Sequence, residues 1–208
     1  MQDSSGLSVS ALAVSSNGEK IIISGSYSTP LVTTKGIFEL SLADGSVRTV
    51  VVDEDRGAIT FSGWHDLSLS PDGTQALAGY DDHLELIDLV EGTARPYGGR
   101  SLAGAWSPDG KWIATLDSRD QDKYAISLIG AKDLLKRRNL GLTDGTKVVW
   151  SPDSRYLLAW NQGQCRYAPY YGTLEKINIE TGRRSPVLNS TCKVNQPTFG
   201  WLAAEFAR

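Results

Sequence analysis

A chain of 208 residues can bury a hydrophobic core, and one domain is the default expectation at that length. Its hydrophobic fraction of 40% and charged fraction of 22% exclude a disordered composition. A formal net charge of -3 excludes the basic excess that a phosphate backbone attracts, so no nucleic-acid partner is expected.

In chain order, the amino terminus Met1-Gln2-Asp3-Ser4-Ser5 lacks the basic and apolar regions of a signal peptide, so the protein is either cytoplasmic or has lost an upstream segment. The first element is Ala11-Leu12-Ala13-Val14, then Ser15-Ser16-Asn17-Gly18, then Glu19-Lys20-Ile21-Ile22-Ile23. Two short apolar runs around such a reversal predict a hairpin. The same unit returns as Leu67-Ser68-Leu69 with Ser70-Pro71-Asp72-Gly73, and as Ala105-Trp106 with Ser107-Pro108-Asp109-Gly110. Its fourth copy is Val149-Trp150 with Ser151-Pro152-Asp153-Ser154. Proline presets φ in the turn, aspartate accepts local backbone hydrogen bonds, and glycine takes a positive φ cheaply. The last motif position falls at 18, 73, 110 and 154, with gaps of 55, 37 and 44. These gaps bracket the roughly 40–50-residue period of propeller blades.

A second marker follows three of the hairpins. Ile37-Phe38-Glu39-Leu40 leads to Asp44-Gly45, Leu84-Glu85-Leu86-Ile87 to Glu91-Gly92, and Leu174-Glu175-Lys176-Ile177 to Thr181-Gly182. Alternation at period two predicts half-buried strands, and the glycine turns the chain into a fourth strand. Each unit is therefore four antiparallel strands. In the third unit Ala131-Lys132-Asp133-Leu134-Leu135-Lys136 lacks the glycine, which predicts a short helical turn or a ragged outer hairpin. The expected fold is an all-β domain over 1–208, with blades at about 8–52, 64–98, 101–139 and 146–188. A partial strand at 197–204 includes Thr198-Phe199-Gly200-Trp201-Leu202. Two closures fit this: a larger propeller missing upstream blades, or a small four- or five-bladed ring with irregular closure. An open array would expose strand edges and favour self-association.

The units Ser70-Pro71-Asp72-Gly73, Trp106-Ser107-Pro108-Asp109-Gly110 and Trp150-Ser151-Pro152-Asp153 resemble the TolB-type β-propeller repeat family, a relative of WD repeats. The resemblance spans nearly all of 8–187. It implies a non-catalytic scaffold that engages a protein or peptide partner through its loop face, in the periplasm or outside the cell.

No Gly-x-Ser-x-Gly elbow, Walker loop, Gly-x-Gly-x-x-Gly or His-Glu-x-x-His motif occurs, so the chain is not expected to be an enzyme or to hold a cofactor. No apolar run approaches the roughly 18–20 residues that span a bilayer. His65, in Trp64-His65-Asp66, sits where blade-connecting loops ring the channel mouth, and Arg100 and Lys147 are further channel-facing cations. His83 falls in a short hairpin loop after Tyr80-Asp81-Asp82. The acidic runs Asp53-Glu54-Asp55 and Asp117-Ser118-Arg119-Asp120-Gln121-Asp122 lack the spacing of a calcium loop, so no metal is expected. Arg166, Tyr167, Tyr170 and Tyr171 form an aromatic insertion suited to recognition. Cys165 and Cys192 are a candidate disulfide that would pin this insertion, with two unpaired thiols as the other reading. Trp106, Trp150 and Trp201 are read as core residues between blades. Two further functions stay open: small-molecule, carbohydrate or metal binding in the central channel, and the propeller part of a larger hydrolase.

Overall fold

Motif turns and short apolar runs fold as the spacing predicts. The computed structural model describes residues 6–29, 32–52, 64–80, 83–97, 100–120, 123–133, 135–145, 147–162 and 172–189. Among them are sixteen strands and no helix. The first sheet holds β1 (Gly6–Val14), β2 (Lys20–Ser28), β3 (Thr33–Ser41) and β4 (Val47–Val52). The second holds β5 (Trp64–Leu69), β6 (Gln75–Tyr80), β7 (His83–Asp88) and β8 (Thr93–Tyr97). The third holds β9 (Ser101–Trp106), β10 (Trp112–Asp120), β11 (Lys123–Gly130) and β12 (Arg137–Thr143). The fourth holds β13 (Val148–Trp150), β14 (Tyr156–Gln162), β15 (Gly172–Asn178) and β16 (Arg184–Asn189). In every sheet the strands lie side by side in sequence order and their described pairings are antiparallel, the arrangement of a propeller blade. The partial strand expected at 197–204 lies outside the described residues.

The motif turn is built around its serine. The Ser70 hydroxyl donates to Asp72 Oδ1 at 2.6 Å and accepts the Gln75 amide at 3.0 Å. Asp72 Oδ1 accepts the Thr74 amide at 3.1 Å, and the Gly73 amide closes on Ser70 O at 2.9 Å. Ser107 with Asp109, Ser151 with Asp153, and Ser15 with Asn17 repeat this pattern. All four serines are buried, so the hydroxyl answers backbone groups that water cannot reach. The last position is left-handed at Gly18, Gly73, Gly110 and also at Ser154, whose φ is 58°.

Contacts divide the chain into two compact units, Met1–Gly104 and Ala105–Arg208. In the first, Ile22, Ile37, Val50 and Val51 of one sheet share a core with Ala76, Ala78, Ile87 and Leu89 of the next. Complete burial of such an aliphatic side chain contributes ~1.5–3 kcal/mol. The Ser16 hydroxyl donates to Pro71 O at 2.8 Å, and Arg48 to Leu89 O at 3.1 Å. In the second unit Trp150 Nε1 donates to Ala105 O at 2.9 Å, and the Asp109 amide to Ser154 Oγ at 3.0 Å. Trp150 is thus a core residue between sheets, as expected.

One expectation changes, and one pair of alternatives is decided. Half-burial fails at β7, where Leu84, Glu85, Leu86 and Ile87 are all buried, because both faces of a stacked sheet are covered. Between β11 and β12, of the two forms expected, the described residues make the ragged hairpin. Gly130 N–H donates to Lys136 O at 2.8 Å, and Lys136 N–H to Asp133 O at 3.0 Å.

The turn carboxylates titrate below their ordinary range. At Asp72 and Asp153 the serine hydroxyl is the leading cause. At Asp109 burial pushes upward, but the Ser107 hydroxyl and the Lys111 amide and ammonium together outweigh it. A depressed folded-state pKa adds stability above the unfolded value near 3.8, which is lost as pH falls through the folded value. Asn17 makes the same turn without titrating. The variant D72N/D109N/D153N should therefore keep its fold at neutral pH and lose less stability on acidification below pH ~4. Guanidinium unfolding at stepped pH measures this, and an unchanged acid limb would refute it.

Candidate functional site

Strand direction sorts the loops of each sheet onto two ends. The motif turns and the turns into the fourth strand share one end; the second-to-third-strand loops and the entry to the first strand share the other. The turn end is closed on itself. Leu42 N–H donates to Glu19 O at 2.8 Å and Leu89 N–H to Thr74 O at 2.9 Å. In the second unit Ala131 N–H reaches Lys111 O at 3.0 Å and Ile179 N–H reaches Arg155 O at 3.1 Å. Asp44 belongs to this end, and its pKa is lowered to about 2, first by the Ser46 amide and then by the Ser46 and Ser41 hydroxyls.

His65, Arg100 and Lys147 lie at entries to first strands, the loop end of their own sheets. His65 is the second residue of β5, and its side chain lies outside the described residues. Beside it Asp66 has φ 53°, where the register with β6 slips between His65 and Leu67. Arg100 directly precedes β9 and Lys147 directly precedes β13; both are exposed. His65 and Arg100 fall in the first unit and Lys147 in the second. Arg166, Tyr167, Tyr170 and Tyr171 occupy the connection from β14 to β15, which lies outside the described residues. So do Cys165, Cys192 and Trp201.

Two buried carboxylates escaped the sequence reading. Glu85 is 0% exposed in β7, and His83 Nε2 stands 3.6 Å from its Oε1. The His83 ring lies tilted beside Tyr80, with centroids 5.7 Å apart. Sequence alternation assigns Glu85 to a solvent face, but a neighbouring sheet covers that face. In β10, Asp117 accepts the Thr115 hydroxyl at 2.9 Å, the Ser127 hydroxyl at 2.7 Å, and the Arg137 guanidinium. The only advance signal was the acidic run that Asp117 begins. Its carboxylate is committed to these protein donors, and among the described residues no three His, Cys, Asp or Glu are grouped to hold a metal.

No protein-family model matches the sequence, and no curated protein does. Solved structures do match. A protein of Agrobacterium tumefaciens assigned as TolB is 18% identical with TM-score 0.60, over 86% of this chain and 64% of that one. The fold is a β-propeller. The β-propeller domain of Cps50 (Swd1) from Myceliophteria thermophila is 14% identical with TM-score 0.56, over 87% of this chain and 56% of that one. The β-propeller domain of the trilobed protease from Pyrococcus furiosus is 11% identical with TM-score 0.56, over 92% of this chain and 59% of that one. This propeller chain thus spans less than two thirds of each of these structures. Propellers host many unrelated activities, and at these identities the likeness establishes the fold alone.

The Asp117 cluster gives a stability test. Asp117→Ala leaves two hydroxyls inside the sheet without their acceptor, while the half-exposed Arg137 can turn to water. The expected loss is about 2–4 kcal/mol by urea unfolding. A loss below about 0.5 kcal/mol would mean the network adds nothing.

Proposed function

We propose that the chain is a non-catalytic propeller scaffold that binds a protein or peptide partner through its loop end. The observation that carries this is the make-up of the loop-end connections, which bring cations and aromatic residues together with exposed side chains. At the turn end the polar groups of the motifs are tied to their own backbone. The loop end offers exposed Arg100 and Lys147, the entry residue His65, and the long aromatic connection with Arg166, Tyr167, Tyr170 and Tyr171. Loops on a rigid sheet scaffold are where recognition residues concentrate, and tyrosine and arginine are enriched at interface centres. The resemblance to TolB-type repeats supports the same reading. A periplasmic or extracellular location would let Cys165 pair with Cys192 and hold this connection in place.

Peptides selected from a random display library against the intact chain provide the probe. At least one of Arg100→Ala, Lys147→Ala and the double replacement Tyr170→Ala/Tyr171→Ala should weaken a selected peptide about tenfold or more by calorimetry. Lys111→Ala, at the turn end, should leave binding unchanged. Peptides whose affinity ignores all the loop-end replacements would refute the proposal.

A further inference from the structure

Lys136-Arg137-Arg138 and Arg183-Arg184 are short basic runs far apart in the chain, and the fold brings them together at the turn end of the second unit. Arg137 and Arg138 open β12, and Arg184 opens β16 directly after Arg183. The two sheets touch here. Arg138 donates to Glu180 O, and Arg184 reaches Leu140 O and Leu142 O, each at 2.8 Å.

The cations at this end divide into two sets. Arg137 is paired with Asp117, Arg184 with Glu175 at 3.1 Å, and Lys111 with Asp109 at 3.2 Å. Lys132, Lys136, Arg138 and Arg183 are exposed and make no ion pair among the described residues. Lys136 Nζ stands instead 4.6 Å over the Trp112 ring, and Arg138 meets a neutral carbonyl. The carboxylates in the connections 131–136 and 179–183 are Asp133 and Glu180, and Asp133 Oδ1 accepts the Leu135 amide at 3.1 Å. Positive charge is therefore in excess.

Leu135 stands among these cations. The connection from β11 to β12 occupies residues 131–136, one or two residues more than its counterparts 42–46, 89–92 and 179–183. Gly130 N–H closes it onto Lys136 O at 2.8 Å, and Asp133 holds its tip through the amides of Leu135 and Lys136. With its backbone anchored in this way, Leu135 projects and is 94% exposed, more than any other large apolar residue among those described.

We infer that this end docks on the surface of an anionic lipid bilayer. Leu135 enters the boundary between headgroups and acyl chains, and Lys132, Lys136, Arg138 and Arg183 lie against the headgroup phosphates. Charge and leucine together select this partner. Cations alone would attract any polyanion. A protein accepts a projecting leucine only by offering a pocket for it, whereas the membrane interface takes an apolar side chain anywhere on its plane. Basic side chains beside it gain from the negative surface potential, each by roughly fivefold in affinity. The contact lies on the bilayer without spanning it. It uses the end of the sheets opposite to the one proposed for peptide binding.

Cosedimentation of the intact chain with vesicles tests this, using phosphatidylcholine alone and phosphatidylcholine mixed with phosphatidylserine. The chain should bind the mixed vesicles about tenfold or more tightly than the neutral ones. Added salt should erode that preference, since it screens charges over ~8 Å at physiological strength. K132Q/R183Q should weaken binding to mixed vesicles about tenfold or more, and L135A about fivefold. K35Q/R95Q removes two exposed cations of the first unit and should bind as the wild type does. Every replaced side chain is exposed, and circular dichroism melts establish that the variants fold. Equal binding to neutral and mixed vesicles overturns the inference, as does K35Q/R95Q losing as much affinity as K132Q/R183Q. L135A binding like the wild type while K132Q/R183Q is weakened also overturns it, since the patch would then take a polyanion other than a bilayer. Displacement by inorganic phosphate at constant ionic strength would do the same, by showing a site for the free ion.

Discussion

Leu84, Glu85, Leu86 and Ile87 follow one another along β7 and are all buried, which a strand manages only if both faces of its sheet are covered. A four-stranded sheet of this kind cannot be stable alone; it hides its faces by stacking on another. The constraint reaches every part of the molecule. It puts Ile22, Ile37, Val50 and Val51 against Ala76, Ala78, Ile87 and Leu89, and it places Trp150 where its indole nitrogen meets Ala105 O. It also removes water from the motif turns, so their backbone groups need partners within the chain.

The serine and its aspartate or asparagine supply those partners, and the turns are then close enough to bond to each other. Ser16 donates to Pro71 O in the first unit, and Ser154 accepts from the Asp109 amide in the second. Ser154 is the instructive case. A left-handed non-glycine residue costs about 1–2 kcal/mol. Glycine there would relieve that strain but would leave the Asp109 amide without this acceptor, a loss of similar size. The departure from the motif's glycine therefore reflects two opposed terms of about equal magnitude. It is a substitution the stacked arrangement can absorb.

The fold was legible because its punctuation is local. The positive φ at Gly18, Gly73, Gly110, Gly45, Gly92 and Gly182 follows from turn chemistry that four consecutive residues contain. What depends on neighbouring sheets was not legible. Glu85 reads as a solvent residue in an alternating strand, and only stacking reveals that it is enclosed beside His83. Asp117 reads as part of an acidic loop, yet donors from β10, β11 and β12 converge on it. The connection from Gly130 to Arg137 has no glycine at the usual place, so its composition left a helical turn and a ragged hairpin both open; hydrogen bonding to Lys111 O draws it onto the inner hairpin. Of the candidate site, strand order places His65, Arg100 and Lys147 at the loop end of their sheets, whereas the role proposed for Tyr167, Tyr170 and Tyr171 rests on loop conformation that no local rule sets.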